Sequence, residues 1–317
     1  MTYALKLIKI GSEVNAINEE VVRTDFFSNL KSSYKYITKE NYILPISIIF
    51  NLVNEKANND DLVNSLTTDY FIQYANINFI DQYSVLKDYS NKDLIIETLL
   101  LLSSLCRKNE KVYQCIHDLN IYSSLKYLLE NSDSSIKSRV CNLIGNMCRH
   151  SEFFYELILK QGIIGPLINC CYDNDKNTRK FACFAIGNAA FLNDRLYLDL
   201  KPCISILVGL LDDVEDNTRA NSAGALGNFV RCSDILCNDI NINNAPEALL
   251  KLAEREQTSN QTIKVALFAL GNFCNHNVIK NQLESFNFKN RIEGIRTRFK
   301  GESSLLDLLD RIKKKLI

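Results

Sequence analysis

The sequence is poor in the residues that interrupt a chain. Four prolines and 11 glycines in 317 residues leave no Gly/Pro-rich linker, no collagen-like tract and no sandwich with a turn about every ten residues. Neither sign of charge is in excess: Lys+Arg and Asp+Glu both total 37. No global basic field is therefore available to hold a polyanion, and nucleic acid is not an expected partner. No stretch reaches the roughly 20 consecutive apolar residues of a membrane helix, so a membrane partner is not expected either. Lys6 and Lys9 interrupt the apolar residues at the start, which does not suit a secretory leader. The 11 cysteines are odd in number and form no C-x-x-C pair. They suit small core residues of a protein kept in the reducing cytoplasm. None of the glycines forms G-x-G-x-x-G or G-x-x-x-x-G-K, and the kinase catalytic-loop pattern and D-F-G are missing as well. No catalytic constellation and no cofactor are expected in this chain.

What the sequence does contain is a repeat. Gly-Asn recurs at Gly145-Asn146, Gly187-Asn188, Gly227-Asn228 and Gly271-Asn272, so the asparagines lie 42, 40 and 44 residues apart. One period before Asn146 stands Ser104, in a stretch (102–107, LSSLCR) that parallels 144–149 (IGNMCR) with Ser-Ser in place of Gly-Asn. Five repeats are visible over residues 91–278. Each apolar run follows a polar turn, as at Asp173-Asn174-Asp175-Lys176 or Thr258-Ser259-Asn260-Gln261. The run at 181–192 (FACFAIGNAAFL) is apolar nearly all round, as suits a helix enclosed by neighbours. Its length, alanine content and few β-branched residues favour helix over buried strand. Upstream of each turn a shorter amphipathic helix is predicted, with Pro166, Pro202 and Pro246 near its beginning, where a missing N–H is harmless.

A period of 40–44 residues with two or three helices per repeat predicts an all-α fold, an armadillo/HEAT-type right-handed superhelical solenoid. Single repeats of this kind cannot bury their apolar face alone, so stacking supplies the core. Residues 161–168 (QGIIGPLI) resemble the armadillo link between first and second helices, and Ala-Leu-Gly-Asn at 225–228 and 269–272 resembles the third. These favour armadillo over HEAT. Residues 1–90 fit as degenerate N-terminal helical units, with helical patterns at 26–37 and 42–53 and an insertion near 58–61. Residues 279–317 read as C-terminal capping helices that end in a solvated Lys313-Lys314-Lys315.

Glycine inside a helix costs roughly 1 kcal/mol against alanine. Its return four times at one position implies the close approach of a neighbouring helix or of a ligand backbone. The adjacent asparagine offers one acceptor and two donor hydrogens. A ladder of such amides can hold an extended peptide by its main chain. Buried asparagines can equally tie helices together, and the sequence leaves both possibilities open. Helical spacing collects the rest of that face. It comprises Ser104 and Arg107 in the first repeat, then Arg139, Asn142 and Arg149 around Asn146. Phe184 accompanies Asn188, Asn221 and Arg231 accompany Asn228, and Phe268 accompanies Asn272. Arg107, Arg149 and Arg231 favour a protein partner with an acidic or phosphorylated segment. An importin-type groove carries tryptophan four residues before the asparagine. Asn142, Phe184, Gly224 and Phe268 stand there instead, which disfavours a transport adaptor. Cys148/His150 and Cys274/His276 recur at equivalent positions, but the other repeats place Ala190/Leu192 and Val230/Cys232 there. A packed thiol is thus expected rather than a metal site. Asp212, Asp213, Glu215 and Asp216 lie in a turn, where solvated or capping roles suffice.

Three longer stretches are distinctive: 145–151 (GNMCRHS) closed by Phe153-Phe154-Tyr155, 178–190 (TRKFACFAIGNAA) continued by Asn193-Asp194 and Leu196-Tyr197, and 223–231 (AGALGNFVR). Together they resemble the C-terminal armadillo-repeat region of Fused-family serine/threonine kinases, over about residues 95–278. The resemblance implies a regulatory scaffold that engages kinesin-type and signalling proteins, with roles in cytokinesis, cilium assembly and Hedgehog signalling. It also implies a location at the cytoskeleton or cilium. The family's kinase domain is not in this sequence. The expectation is therefore either a stand-alone relative or the regulatory part of an active kinase.

Overall fold

The computed structural model describes residues 43–54, 90–108 and 111–316, with isolated positions 6, 8, 29, 36–38, 41 and 86. The chain divides into two compact units, Met1–Met147 and Cys148–Ile317. No strand occurs among the described residues, and no helix among them is long and apolar enough to cross a membrane.

In the first unit α1 (Ile43–Asn54) packs against α2 (Lys92–Lys108). There follow α3 (Lys111–Asp118), α4 (Tyr122–Asn131) and α5 (Ser134–His150). α1 coincides with the helical pattern expected at 42–53. The pattern at 26–37 lies largely, and the insertion near 58–61 wholly, outside the described residues. α5 starts at a polar turn because Asp133 accepts from the backbone N–H groups of Ser135 and Ile136, at 3.0 and 3.2 Å. These are among the donors that a helix start leaves unsatisfied.

The second unit repeats one three-helix layer four times. The layers are α6 (Tyr155–Lys160), α7 (Ile164–Asn169) and α8 (Lys176–Ala189); α9 (Tyr197–Leu200), α10 (Ile204–Leu210) and α11 (Asp216–Asn228); α12 (Cys237–Ile242), α13 (Ala245–Glu254) and α14 (Asn260–Phe273); and α15 (Asn277–Ser285), α16 (Phe288–Arg298) and α17 (Ser303–Lys315). Third helices pack on one another in order, α8 on α11, α11 on α14 and α14 on α17. Asp175 caps α8 by accepting from Thr178 N at 2.8 Å, and Ser259 caps α14 by accepting from Thr262 N at 3.2 Å. Pro166 sits in the first turn of α7, Pro202 just ahead of α10 and Pro246 at the start of α13.

The region expected as capping helices is thus a full layer in the same order. What hid it is the loss of Gly-Asn from α17, whose last turn reads Lys313-Lys314-Lys315. That turn is also less solvated than the sequence suggests. Lys315 is half-buried and donates to the carbonyl of Gly271 at 2.7 Å, and Lys313 pairs with Glu293 at 2.8 Å.

The core is built from small and branched residues that let helices approach. In α8, Ala182, Cys183, Ala185, Ile186 and Ala189 are fully buried. A second periodic residue emerges here: Tyr113, Tyr155 and Tyr197, buried at 42-residue intervals. Tyr113 and Tyr155 donate to the carbonyls of Cys106 and Cys148, each at 3.4 Å. Tyr197 instead donates to the carbonyl of Asn228 at 2.5 Å. Ten of the 11 cysteines are buried and Cys232 is exposed. Burial pushes the Cys148 thiol up to about 12 and those of Cys237 and Cys274 up to about 11, which leaves little thiolate to react.

Candidate partner-binding face

In the second unit the glycine of each Gly-Asn pair lies against the next third helix. A Cβ added at Gly227 would stand 2.7 Å from Ala269 Cβ and 2.8 Å from Ala269 Cα; at Gly187 it would meet Ala225 Cα at 3.4 Å. The steric demand inferred from the sequence is therefore that of a neighbouring helix, and a ligand backbone is not needed to explain it.

The asparagine completes the same contact. Asn228 Nδ2 donates to the carbonyl of Gly187 at 2.8 Å, and Asn272 Nδ2 to the carbonyl of Gly227 at 3.1 Å. Each amide thus reaches one layer back, to the glycine that admitted its helix. In the first unit, where α2 carries Ser-Ser, Asn146 Nδ2 donates to Ser103 Oγ at 2.7 Å and to the Asn142 carbonyl at 3.1 Å. The donor side of these amides serves packing, as the second of the two sequence possibilities required. The acceptor side differs from one to the next. Asn146 and Asn188 are buried, and Asn188 Oδ1 accepts from Arg149 Nη1 at 3.4 Å. Asn228 and Asn272 are half-buried, and no donor among the described residues meets their Oδ1 atoms.

The other predicted residues are placed as follows. Asn221 Nδ2 donates to the Lys180 carbonyl at 2.9 Å. Arg231 is exposed, donates to the Phe191 carbonyl at 2.6 Å and lies 3.8 Å over the Phe191 ring. Phe184 is half-buried and meets Phe181 edge to face at 6.5 Å; Phe268 is 48% exposed. Arg149 is exposed. In the first unit Asn142 accepts from Ser103 Oγ at 2.7 Å, Ser104 is buried and accepts from Arg107 Nη2 at 3.1 Å, and Arg139 is half-buried. The second unit brings Phe184, Asn228, Arg231, Phe268 and Asn272 onto successive third helices and the turns that end them. Sequence reasoning missed Ser103, which receives the Asn146 amide, and Lys315. Ser-Ser at the Gly-Asn position was the available signal for the first; nothing comparable marked the second.

The residues set aside as metal pairs and turn carboxylates have structural partners. His276 Nε2 lies 2.6 Å from the Val230 carbonyl, another tie across one layer. The side chain of His150 lies outside the described ones, and no cluster of His, Cys, Asp or Glu suited to a metal occurs among the described residues. Of the solvated and capping roles that its turn suggested, Asp213 takes the second and accepts from the Glu215 N–H at 2.8 Å. Its side chain is 4% exposed and pairs with Arg179, Nε to Oδ2 at 2.6 Å. Burial raises the Asp213 pKa, but Arg179 and the Glu215 N–H outweigh it, so the carboxyl is held below its ordinary range. Arg179 Nη1 also donates to the carbonyls of Asp173 and Asn174, and Arg219 Nη1 repeats this one layer on, at Asp213 and Val214.

Layers of three short helices, joined through their third helices by glycine contacts and reaching-back amides, define an all-α armadillo-repeat fold. The chain superposes on a designed armadillo repeat protein in complex with the peptide (KR)4 with a TM-score of 0.67 and 21% identity, over 74% of this chain and 97% of that one. An engineered protein of known crystal structure matches with a TM-score of 0.71 and 16% identity, over 99% and 84%. At those identities the likeness is one of fold. In sequence the chain is similar to the serine/threonine-protein kinase TIO of Arabidopsis thaliana, 40% identical in an alignment 214 residues long that takes in 63% of this chain and 16% of the kinase. The resemblance to the armadillo-like region of Fused-family kinases is thereby shown, and the chain spans about a sixth of that relative's length. No family model matches the chain.

Proposed function

We propose that this chain is a non-catalytic scaffold that holds extended segments of partner proteins along the third-helix face of its second unit. The observation that carries this reading is the pair of half-buried residues Asn228 and Asn272, one layer apart, whose amide oxygens meet no donor among the described residues. Two acceptors at layer spacing suit main-chain N–H groups of an extended peptide. Phe184 and Phe268, each four residues before an asparagine, offer apolar contact beside them. The fold shared with an armadillo protein in complex with a peptide supports the same use. The similarity to a Fused-type kinase extends the proposal to kinesin-type or signalling partners and to a cytoplasmic place at the cytoskeleton or cilium.

The asparagines are poor test positions, because alanine there also removes a tie between layers, worth about 1–3 kcal/mol where a buried carbonyl loses its donor. Phe184→Ala combined with Phe268→Ala leaves those ties in place. Affinity purification with the intact chain is expected to recover kinesin-type or axonemal proteins that the double variant loses, at matched melting temperature. Equal recovery by both would count against the groove.

The alignment to 16% of a kinase favours a second reading, in which this region regulates a catalytic domain on the same polypeptide. Immunoprecipitation of the endogenous product decides between them. A product of 317 residues without phosphotransfer activity removes the second reading.

A further inference from the structure

We propose that the cleft between α14 and α17 anchors an acidic side chain of the bound segment, carried next to a large apolar one; the proposal rests on the peptide-binding reading above. The cleft holds about 340 Å³ and is walled by Phe268 and Asn272 of α14 and by Leu308, Arg311, Lys314 and Lys315 of α17. The register of the third helices carries the argument. Ala225, Ala269 and Ile312 stand against Gly187, Gly227 and Gly271. Three residues after each, Asn228, Asn272 and Lys315 donate to the carbonyls of those same glycines. Lys315 therefore holds, in the last layer, the place of the asparagine. Arg311, four residues earlier, holds the place of Phe184, Gly224 and Phe268. The last layer thus sets two cations where the others set an amide and an aromatic or glycine residue.

These charges are only partly balanced within the fold. Lys313 and Asp310 are paired with Glu293 and Arg296. Arg311 and Lys314 form no salt bridge among the described residues, Lys314 acting on Asp310 only at longer range, and Lys315 spends one hydrogen on a neutral carbonyl. No carboxylate lines the cleft, and α14 brings no charge to it. Its floor is apolar, with Leu267 and Ile312 buried, while Phe268 stands exposed at its edge. Three cations without a salt bridge among the described residues, beside an apolar floor, fit a carboxylate with a neighbouring aliphatic or aromatic side chain. Asn272 lines the same cleft, and no donor among the described residues meets its Oδ1.

The test uses fluorescein-labelled (Glu-Leu)4, with (Lys-Leu)4 as control, and reads anisotropy with the full chain. The acidic peptide is expected to bind and the basic one not. Arg311→Glu with Lys314→Glu should weaken binding on the order of tenfold at low salt, since two attractions become repulsions of exposed charges. Binding to the unaltered chain should fade between about 10 mM and about 1 M salt, as the screening length falls from about 30 Å to about 3 Å. Both substituted side chains are exposed, so the variant should melt with the unaltered chain. Where it does not, Arg311→Gln with Lys314→Gln replaces it, with a smaller loss expected. Unchanged affinity in the charge variants, or preference for the basic peptide, overturns the proposal. Phe184→Ala separates the two ideas. Loss of binding there with none on charge reversal sinks the cleft and keeps the groove, whereas the converse keeps the cleft and removes Phe184 from the contact surface.

Discussion

Replacing Gly227 by alanine sets two known effects against each other. Alanine is favoured over glycine inside a helix by about 0.8–1.0 kcal/mol, which alone would stabilise α11. The new methyl, however, would stand 2.7 Å from Ala269 Cβ and 2.8 Å from Ala269 Cα. A main-chain atom cannot turn aside by changing rotamer, so α14 must move. Overpacking of this kind costs about 1–3 kcal/mol, and moving α14 away also stretches the Asn272–Gly227 bond from 3.1 Å. The net expectation is a loss of about 1–2 kcal/mol. In a domain of 150–250 residues that lowers the melting temperature by about 2–8 °C. Gly294→Ala is the control. It lies inside α16 with nothing within 4 Å of the new methyl, and should gain most of the propensity term. Gly187→Ala, with its nearest contact at 3.4 Å, should fall between the two. Pairing Gly227→Ala with Ala269→Gly should give no rescue, because the clash with the α14 main chain persists and a second helix receives a glycine. Thermal and urea unfolding of the set measures this order. A Gly227→Ala chain as stable as the parent would refute the close-approach explanation of the repeated glycine.

Acid sensitivity should come from a few turn carboxylates. Lys92 and Ser135 hold the Asp133 carboxyl down to about 2, and Asp213 and Asp216 are lowered as well. Because the folded values lie below the ordinary 3.8, their contribution is complete above that pH and is lost as pH falls through the folded values. Urea midpoints should therefore drop between about pH 4 and pH 2, and Asp213→Asn should flatten the slope. A native thiol titration with an aromatic disulfide reagent should label one cysteine quickly, Cys232, and all 11 only after denaturation. Cys232→Ser should abolish the fast phase, and rapid labelling of several thiols would contradict the packing.

The fold was legible because its repeat is made of chemistry that packing dictates. A glycine that must face a helix and an asparagine that must reach the preceding glycine are fixed by the layer contact, so they persist at 40–44 residue spacing. The prolines and capping residues mark the helix starts for equally local reasons. The last layer reads in sequence as capping helices and not as a repeat because its tie is made by Lys315. A long flexible ammonium can deliver a hydrogen to Gly271 from a backbone that carries none of the Gly-Asn signature. The tyrosine at 113, 155 and 197 was in plain view at constant spacing, yet a buried hydroxyl reveals its purpose only when its carbonyl partner is known. Among the turn carboxylates Asp212 is exposed and Asp213 caps its own turn, as the sequence allows. What the turn does not reveal is the ion pair of Asp213 with Arg179, 34 residues earlier.

The site itself was half legible. From sequence, packing and recognition compete for the same asparagines, and the atomic positions show the packing role in the amide nitrogens of Asn228 and Asn272. An amide has two ends. In Asn228 and Asn272 the nitrogen is turned into the layer contact, and no donor among the described residues meets the oxygen. Under the proposed function, packing fixes the rotamer in which that oxygen is offered, and an acceptor immobilised in this way loses less entropy on binding than a free side chain would. The same logic explains why the last layer can change its chemistry without changing its geometry. The carbonyl of Gly271 still receives one hydrogen, but the group that supplies it now brings a positive charge. A scaffold built on this rule can alter what it recognises at a given layer by substituting the donor. The structure needs only a hydrogen at that point, and everything else about the donor is available to the partner.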